Sequence, residues 1–142
     1  LKDATEDTDS KEFFIPGSLI KTGIDTTHPL AFGMQDTVAV SFNKSRAFVI
    51  DKQSKKGEGG TEDIKDAPAP KVEVIATYAE KDLLMSGWAM GEKKYIAKKP
   101  AMVKATYGKG TVVLFAFRPQ FRAQPRGTYK LIFNTIFEGA AE

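Results

Sequence analysis

The chain contains no cysteine, and its 142 residues include one histidine, His28, and one tryptophan, Trp88. The absence of cysteine excludes disulfide bonds, thiolate metal ligands and a cysteine nucleophile. No apolar run approaches the ~20 residues that a membrane-spanning helix requires, so we expect no membrane span. The net charge of +3 is too small to indicate a nucleic-acid partner, and we expect none.

The composition is that of one soluble globular domain, with 42% hydrophobic and 27% charged residues. Residues 1–12 are polar and rich in acids, lack the basic and apolar regions of a signal peptide, and are predicted to be disordered or a linker. Because the sequence begins with Leu1 rather than Met, we interpret it as a mature piece or an excised domain. Residues 51–70 combine three glycines, two prolines and mixed charge, which predicts a mobile loop inside a single domain over 13–142.

Short β-strands are the main secondary structure that the sequence predicts. Apolar residues alternate with polar ones, or form short runs between turn residues, at 19–24, 38–42, 47–50 and 71–79. The clearest unit is a β-hairpin over 102–117, with its turn at Gly108-Lys109-Gly110. These glycines lack the spacing of a phosphate-binding loop, so the hairpin turn is the better interpretation.

The end of the chain predicts a buried strand and a helix. Residues 111–117 carry no charge, which indicates a strand buried on both faces of the sheet. After the start signal Gly127-Thr128 and before the stop signal Gly139, apolar residues recur at helical spacing and predict a helix packed on one face; they are Tyr129, Ile132, Phe133, Ile136 and Phe137. The other face requires cover from other strands, a second chain or a missing part of a larger protein. The predicted fold is mixed α/β, a predominantly β sheet with a C-terminal helix.

Between this strand and helix, the stretch FRPQFRAQPRGTYK is unusually rich in cations. The candidate ligand-binding residues of this loop are Arg118, Gln120, Arg122, Gln124 and Arg126. Guanidinium and amide groups suit a carboxylate or another anion, and ligands often bind at strand ends in α/β sheets. The alternative is structural: Arg118 is partly buried and pairs with Glu92 or Asp82, while the other two arginines are solvated.

His28 and Trp88 are two further candidates for a ligand site. His28 precedes a proline and has no second histidine or cysteine with which to bind a metal, so a structural role in the turn is favoured over a catalytic or ligand role. No Gly-x-Ser-x-Gly motif is present to supply a serine nucleophile. Trp88 lies in an apolar turn, which favours a core position over a platform for stacking a sugar or peptide.

Three stretches carry a resemblance to a known family: FFIPGSLI…THPLAFGM, LLMSGWAMGE and YGKGTVVLFAFRPQFRAQPRGTYKLIFNTIF. Together they resemble the C-terminal accessory domain of bacterial zinc carboxypeptidase-like proteins, which is similar to part of a class I glutamine amidotransferase-like α/β fold. The resemblance implies a secreted or periplasmic parent protein with a zinc-containing peptidase domain. The zinc ligands of that family, a His-x-x-Glu pair and a distant histidine, have no counterpart here, nor has the amidotransferase-like cysteine.

We therefore expect a non-catalytic chain without a cofactor or metal of its own. Its expected role is to support the peptidase domain of the same parent chain, or to bind an anionic peptide or cell-wall ligand at the arginine loop. The alternative is a free-standing small-ligand-binding domain or a hydrolase that uses His28, which requires a nucleophile within hydrogen-bond reach of the imidazole.

Overall fold

The structure is a computed structural model that describes residues 1–50 and 71–141. The loop predicted over 51–70 lies outside the described residues. Within the described part the chain forms short strands, two helices and two 3₁₀ turns. The strands are β1 (Lys2–Asp3), β2 (Ser18–Ile24), β3 (Thr37–Phe42), β4 (Phe48–Val49), β5 (Lys71–Tyr78), β6 (Leu84–Ser86), β7 (Pro100–Tyr107) and β8 (Gly110–Phe115). The helices are α1 (Glu92–Tyr95) and α2 (Tyr129–Ala141), and the 3₁₀ turns are Pro29–Ala31 and Arg126–Thr128.

The main sheet has six antiparallel strands, in the order β3-β2-β5-β7-β8 with β6 paired to β2. Strand β2 pairs with β3 along one edge, and its other edge is divided between β6 near Leu19 and β5 near Ile24. Every second residue of β2, from Ser18 to Ile24, is buried, as the period of a strand with one face on the core requires. The architecture is thus mixed α/β and mostly sheet, with a C-terminal helix, as the sequence predicted at this level; the structure adds that the sheet is antiparallel.

The β7–β8 hairpin confirms the clearest of the strand predictions. Tyr107 pairs with Gly110, and the two residues between them form the turn. Gly108 has a φ of +59°, a value that favours glycine at the first central position of a two-residue hairpin loop.

The first residues of the chain contact the domain through a separate two-stranded sheet. In the segment predicted to be disordered or a linker, β1 pairs with β4. The amide of Ala4 donates a hydrogen bond of 2.7 Å to the carbonyl of Ala47. This pairing joins the N-terminal end to the chain that follows β3.

The prediction that the strand after the hairpin turn is buried on both faces was wrong. Strand β8 pairs only with β7 within the described residues, so it is an edge strand. Val112 is 48% exposed, and only the two residues after the strand, Ala116 and Phe117, are buried. The burial rule applies to parallel sheets covered on both faces, whereas this sheet is antiparallel and the uncharged run lies at its edge.

The predicted buried face of α2 was also wrong. Leu131 is the helix residue buried in the core, whereas Phe133, Ile136 and Phe137 are 55%, 59% and 71% exposed. Tyr129 and Ile132 are half-buried, and the helix continues past Gly139 to Ala141.

Hydrogen bonds from polar side chains of α2 explain why its more apolar face is exposed. The Asn134 side-chain amide donates hydrogen bonds of 3.0 Å to the carbonyls of Leu30 and Phe32. The Lys130 ammonium donates to the carbonyl of Gly33 at 2.7 Å. These tertiary partners fix the face of the helix that carries Leu131 and Asn134 against the fold, which leaves the more apolar face outside.

The core lies between the sheet, the 3₁₀ turn Pro29–Ala31 and α2. Its largest fully buried side chains include Tyr78, Phe42, Ile20 and Leu30. The Tyr78 hydroxyl donates a 2.8 Å hydrogen bond to the carbonyl of Arg46, and burial raises the pKa of this hydroxyl above its ordinary value. A buried phenol thus links β5 to the segment that leads into β4.

We predict that Tyr78→Phe lowers the free energy of unfolding by about 1–2 kcal/mol, because the Arg46 carbonyl loses its donor. Urea unfolding followed by circular dichroism measures this change. The matched control is Tyr107→Phe, since Tyr107 is 57% exposed, and its effect should stay within about 0.5 kcal/mol. Equal stability of Tyr78→Phe and the wild type would show that the hydroxyl adds nothing.

Candidate functional site

A groove of about 480 Å³ lies where distant parts of the chain meet at one end of the sheet. Its walls come from the start of β2, from β3, from the end of β6 and from the loop between β8 and α2. The lining residues are Gly17, Ser18, Leu19, Ser41, Ser86, Gly87, Phe121, Gln124 and Pro125. Of the residues predicted to bind a ligand, Gln124 therefore lines the groove directly.

Ser18 fixes one wall of the groove. Its hydroxyl donates a 2.6 Å hydrogen bond to the carbonyl of Trp88 and accepts a 3.0 Å bond from the Trp88 amide. Gly87, between β6 and Trp88, has a φ of +96°, and a Cβ atom there would lie 2.6 Å from the Ser18 Oγ. Glycine is required at this position for both its backbone conformation and its lack of a side chain.

The arginine loop is held at both ends by hydrogen bonds to the main chain. The Arg118 amide donates to the carbonyl of Ser41 at 3.1 Å, which places the start of the loop beside β3. The buried Thr128 hydroxyl lies 2.6 Å from the carbonyl of Pro119 and 3.1 Å from that of Pro125. Thr128 therefore closes the loop. The sequence offered it only as part of a helix start signal.

Two residues near the tip of the loop have unusual backbone angles. Arg122 and Ala123 have φ values of +51° and +60°, in the left-handed region that residues other than glycine seldom occupy. Each such residue costs of order 1 kcal/mol and persists where surrounding contacts determine the backbone. The Gln124 amide donates a 2.8 Å hydrogen bond to the carbonyl of Phe121, which closes a turn around these two residues.

The structure corrects the prediction for Arg118. Its side chain is exposed rather than partly buried, and its guanidinium carbon lies 5.0 Å from the centroid of the Phe121 ring. No described acid, Glu92 and Asp82 included, forms an ion pair with it. Because Phe121 lines the groove, this cation–π contact holds the Arg118 charge at the rim.

The other polar residues of the loop are exposed: Gln120, Arg122, Gln124 and Arg126. Within residues 1–50 and 71–141, neither Arg122 nor Arg126 has an acidic partner. None of the groove's lining residues is acidic either. The groove therefore combines hydroxyl and amide groups with three exposed positive charges on the loop that forms one of its walls.

The sequence favoured a core position for Trp88, and this prediction was wrong. Its side chain is 52% exposed and packs against Phe14, with ring centroids 5.9 Å apart. The indole does not line the groove, whereas the main chain of Trp88 bonds to Ser18, which does. The aromatic pair leaves an apolar surface next to the groove wall.

His28 lies apart from the groove and caps the 3₁₀ turn Pro29–Ala31. Its Nδ1 accepts a 3.1 Å hydrogen bond from the amide of Leu30, and its Nε2 lies 3.3 Å from a carboxylate oxygen of Glu73. The first contact assigns the proton of the neutral ring to Nε2. The hydrogen bond from Lys71, followed by that from His28, lowers the pKa of the Glu73 carboxyl.

Neither a metal cluster nor a membrane span is found in the described part of the chain. No group of three or more histidine and acidic side chains is placed to hold a metal ion among residues 1–50 and 71–141. No helix in the same ranges has the length and apolar character to cross a membrane. Comparisons with family models, curated proteins and solved structures found no match for this chain.

We predict that Thr128→Val destabilises the protein by about 1–3 kcal/mol, because the Pro119 carbonyl loses its hydrogen-bond donor. Thr128→Ser keeps the hydroxyl and should retain most of the stability. Chemical unfolding of the three proteins measures the difference. If Thr128→Val and Thr128→Ser are equally stable, then the hydroxyl does not hold the loop.

The lowered pKa of Glu73 predicts a dependence of stability on pH. A carboxyl whose pKa is lowered by folding stabilises the native state above its unfolded value, which is about 4.5, and this contribution is lost as the pH falls through the folded value. Glu73→Gln should therefore lower the melting temperature slightly at pH 7 and reduce its fall on acidification below about pH 4.5. Glu6→Gln, at an exposed position, is the control. Parallel pH profiles for Glu73→Gln and the wild type would contradict the assignment.

Proposed function

We propose that this chain is a non-catalytic accessory domain of an exported zinc carboxypeptidase-like protein. We further propose that it binds a peptide with a free carboxylate in the groove beside the arginine loop. The resemblance of the sequence to such domains, including the likeness to part of a glutamine amidotransferase-like fold, supplies the first part. The contacts around the groove supply the second.

One observation supports the proposal above all. Each of the three stretches that carry the resemblance contributes to the same groove: Gly17–Leu19 from the first, Ser86–Gly87 from the second, and Phe121, Gln124 and Pro125 from the third. These residues are far apart in sequence, and the pairing of β2 with β3 and β6 brings their segments together. A surface that collects all three stretches is the best candidate for the shared function.

The chemistry of the groove favours a peptide carboxylate. Arginine binds carboxylates through paired N–H donors, and Arg118 is already held at the rim by Phe121. The Ser41 and Ser86 side chains make no hydrogen bond within the described ranges, and with the exposed Gln124 amide they offer donors and acceptors for a peptide main chain. The apolar surface of Phe121 and Pro125 suits a side chain of the ligand.

The alternative of a hydrolase that uses His28 has less support. Both ring nitrogens of His28 are engaged, one with the Leu30 amide and the other with the Glu73 carboxylate. A general base needs a nucleophile within hydrogen-bond reach. No serine or threonine hydroxyl of the described residues makes such a contact with the imidazole.

In the proposed parent protein, catalysis and zinc belong to the peptidase domain. The accessory domain would hold a carboxylate-bearing part of the substrate, such as a peptide or a peptide stem of the cell wall, close to that domain. Residues of the groove then affect which substrates are captured and leave the bond-breaking step to the other domain.

The test is a calorimetric titration of the domain with an acidic peptide, once with a free C-terminal carboxylate and once with a C-terminal amide. The triple variant Arg118→Gln, Arg122→Gln, Arg126→Gln should weaken binding of the free carboxylate by at least about tenfold. Its stability should change little, since all three side chains are exposed.

A charge-matched control removes three exposed lysines outside the loop, at Lys11, Lys81 and Lys109. If this control weakens binding as much as the arginine variant, the attraction is general and no site is present. Equal affinity for the acid and the amide contradicts a carboxylate site. Binding of a purified cell-wall fragment, with no binding of either peptide, would identify the ligand as the cell-wall material.

A further inference from the structure

Among the residues that the structure describes, strand β8 is an edge strand of the main sheet, and the proposed ligand groove does not use it. Within the described residues β8 pairs with β7 alone. Its sequence, Gly110–Phe115, holds no charged residue and no proline. Exposed edges are usually protected by lysine, proline, a bulge or a covering element, because their free main-chain groups pair readily with another strand. Lysine, proline and a bulge are all absent from β8.

The register shows which main-chain groups are free. The Ala116 amide donates to the carbonyl of Ala101 at 2.8 Å, so the even-numbered residues of β8 direct their main chain toward β7. Just after the strand this rule ends, because the Ala116 carbonyl accepts from the Arg46 amide at 2.7 Å and the Arg118 amide donates to Ser41. Because the direction alternates along an antiparallel strand, Thr111, Val113 and Phe115 direct their N–H and C=O groups away from it. No other strand of residues 1–50 and 71–141 pairs with these groups.

The side chains of β8 define what an added strand must look like. Val112 and Leu114 lie on one face, with Val112 48% exposed. Val113 and Phe115 lie on the other face and pack against the core. A strand that continues the sheet must therefore be uncharged and must present apolar side chains on both faces.

We propose that β8 pairs in antiparallel fashion with β8 of a second copy of this chain. The strand itself meets both requirements, and it carries no charge that would repel its own copy. With the two-fold axis at Val113, Thr111 of one copy faces Phe115 of the other, and the outward groups form about six main-chain hydrogen bonds.

The expected complex is a reversible dimer. Two paired strands of this length bury less than the ~1,000 Å² typical of a stable interface, so the dimer should form at high protein concentration and dissociate on dilution. No β8 residue lines the groove beside the arginine loop. Dimer formation and ligand binding can therefore be tested separately, and the failure of one leaves the other standing.

The first test is sedimentation velocity over a range of concentrations up to about 1 mM. The wild type should show a growing dimer fraction, and Val112→Lys should weaken the dimer by at least about tenfold, because it places a charge beside the new ladder. Tyr107→Lys is the matched control, since Tyr107 is exposed on the same hairpin but outside the proposed ladder. A wild type that stays monomeric, or equal effects of the two lysines, would overturn the proposal. So would a dimer disrupted by Phe137→Lys and not by Val112→Lys, because it would use the exposed face of α2.

The second test fixes the register and uses the absence of natural cysteines. In the proposed pairing Val112 of one copy faces Leu114 of the other, with Cα atoms about 4.5 Å apart, which is within the range of a disulfide. A mixture of Val112→Cys and Leu114→Cys proteins, one of them tagged, should give the mixed disulfide on mild oxidation. The control replaces Leu114→Cys by Lys109→Cys, at the hairpin turn. Equal cross-linking of the control, or no mixed disulfide, would refute the register.

Discussion

Strand β2 pairs with β3 on one side and divides its other side between β6 and β5, and this division determines where the groove lies. The N-terminal half of β2 pairs with β6, whose last residue precedes the Gly87 turn. The C-terminal half of β2 pairs with β5, which connects it to the rest of the sheet. Ser18, at the start of β2, then binds both polar main-chain groups of Trp88. Loss of this arrangement would separate two walls of the groove and leave the arginine loop with only β3 beside it.

The sequence predicted the local structure better than the way in which elements face one another. The β7–β8 hairpin follows from alternation and a glycine turn, both of which are local. By contrast, an uncharged run suits a central strand and an unprotected edge equally well, so composition did not reveal that β8 is an edge strand. The orientation of α2 depends on hydrogen bonds from Lys130 and Asn134 to carbonyls about 100 positions away. The spacing of apolar residues carries no information about those partners.

The candidate site was likewise predictable only where its signal is local in the sequence. The arginine loop was visible as a local excess of cations after a strand, whereas Ser18, Ser41 and Ser86 form no pattern in the sequence. Their convergence depends on strand order, which one sequence does not specify. Arg118 was expected to be partly buried because it stands at the end of an apolar strand. The run ends at Phe117, however, and the guanidinium turns outward to lie near the Phe121 ring. Nothing in the sequence indicated that the buried Thr128 hydroxyl bonds to the carbonyl of Pro119.

The groove is made of residues separated by more than 100 positions, from Gly17 to Pro125. It therefore exists only while the whole sheet is folded, and any molecule that occupies it binds the native chain and not the unfolded one. By mass action, such a ligand at 100 times its dissociation constant adds about 2.7 kcal/mol to the free energy of unfolding. The survival time of the domain in the presence of proteases would then rise and fall with the supply of its ligand, since proteolysis proceeds mainly through opened states.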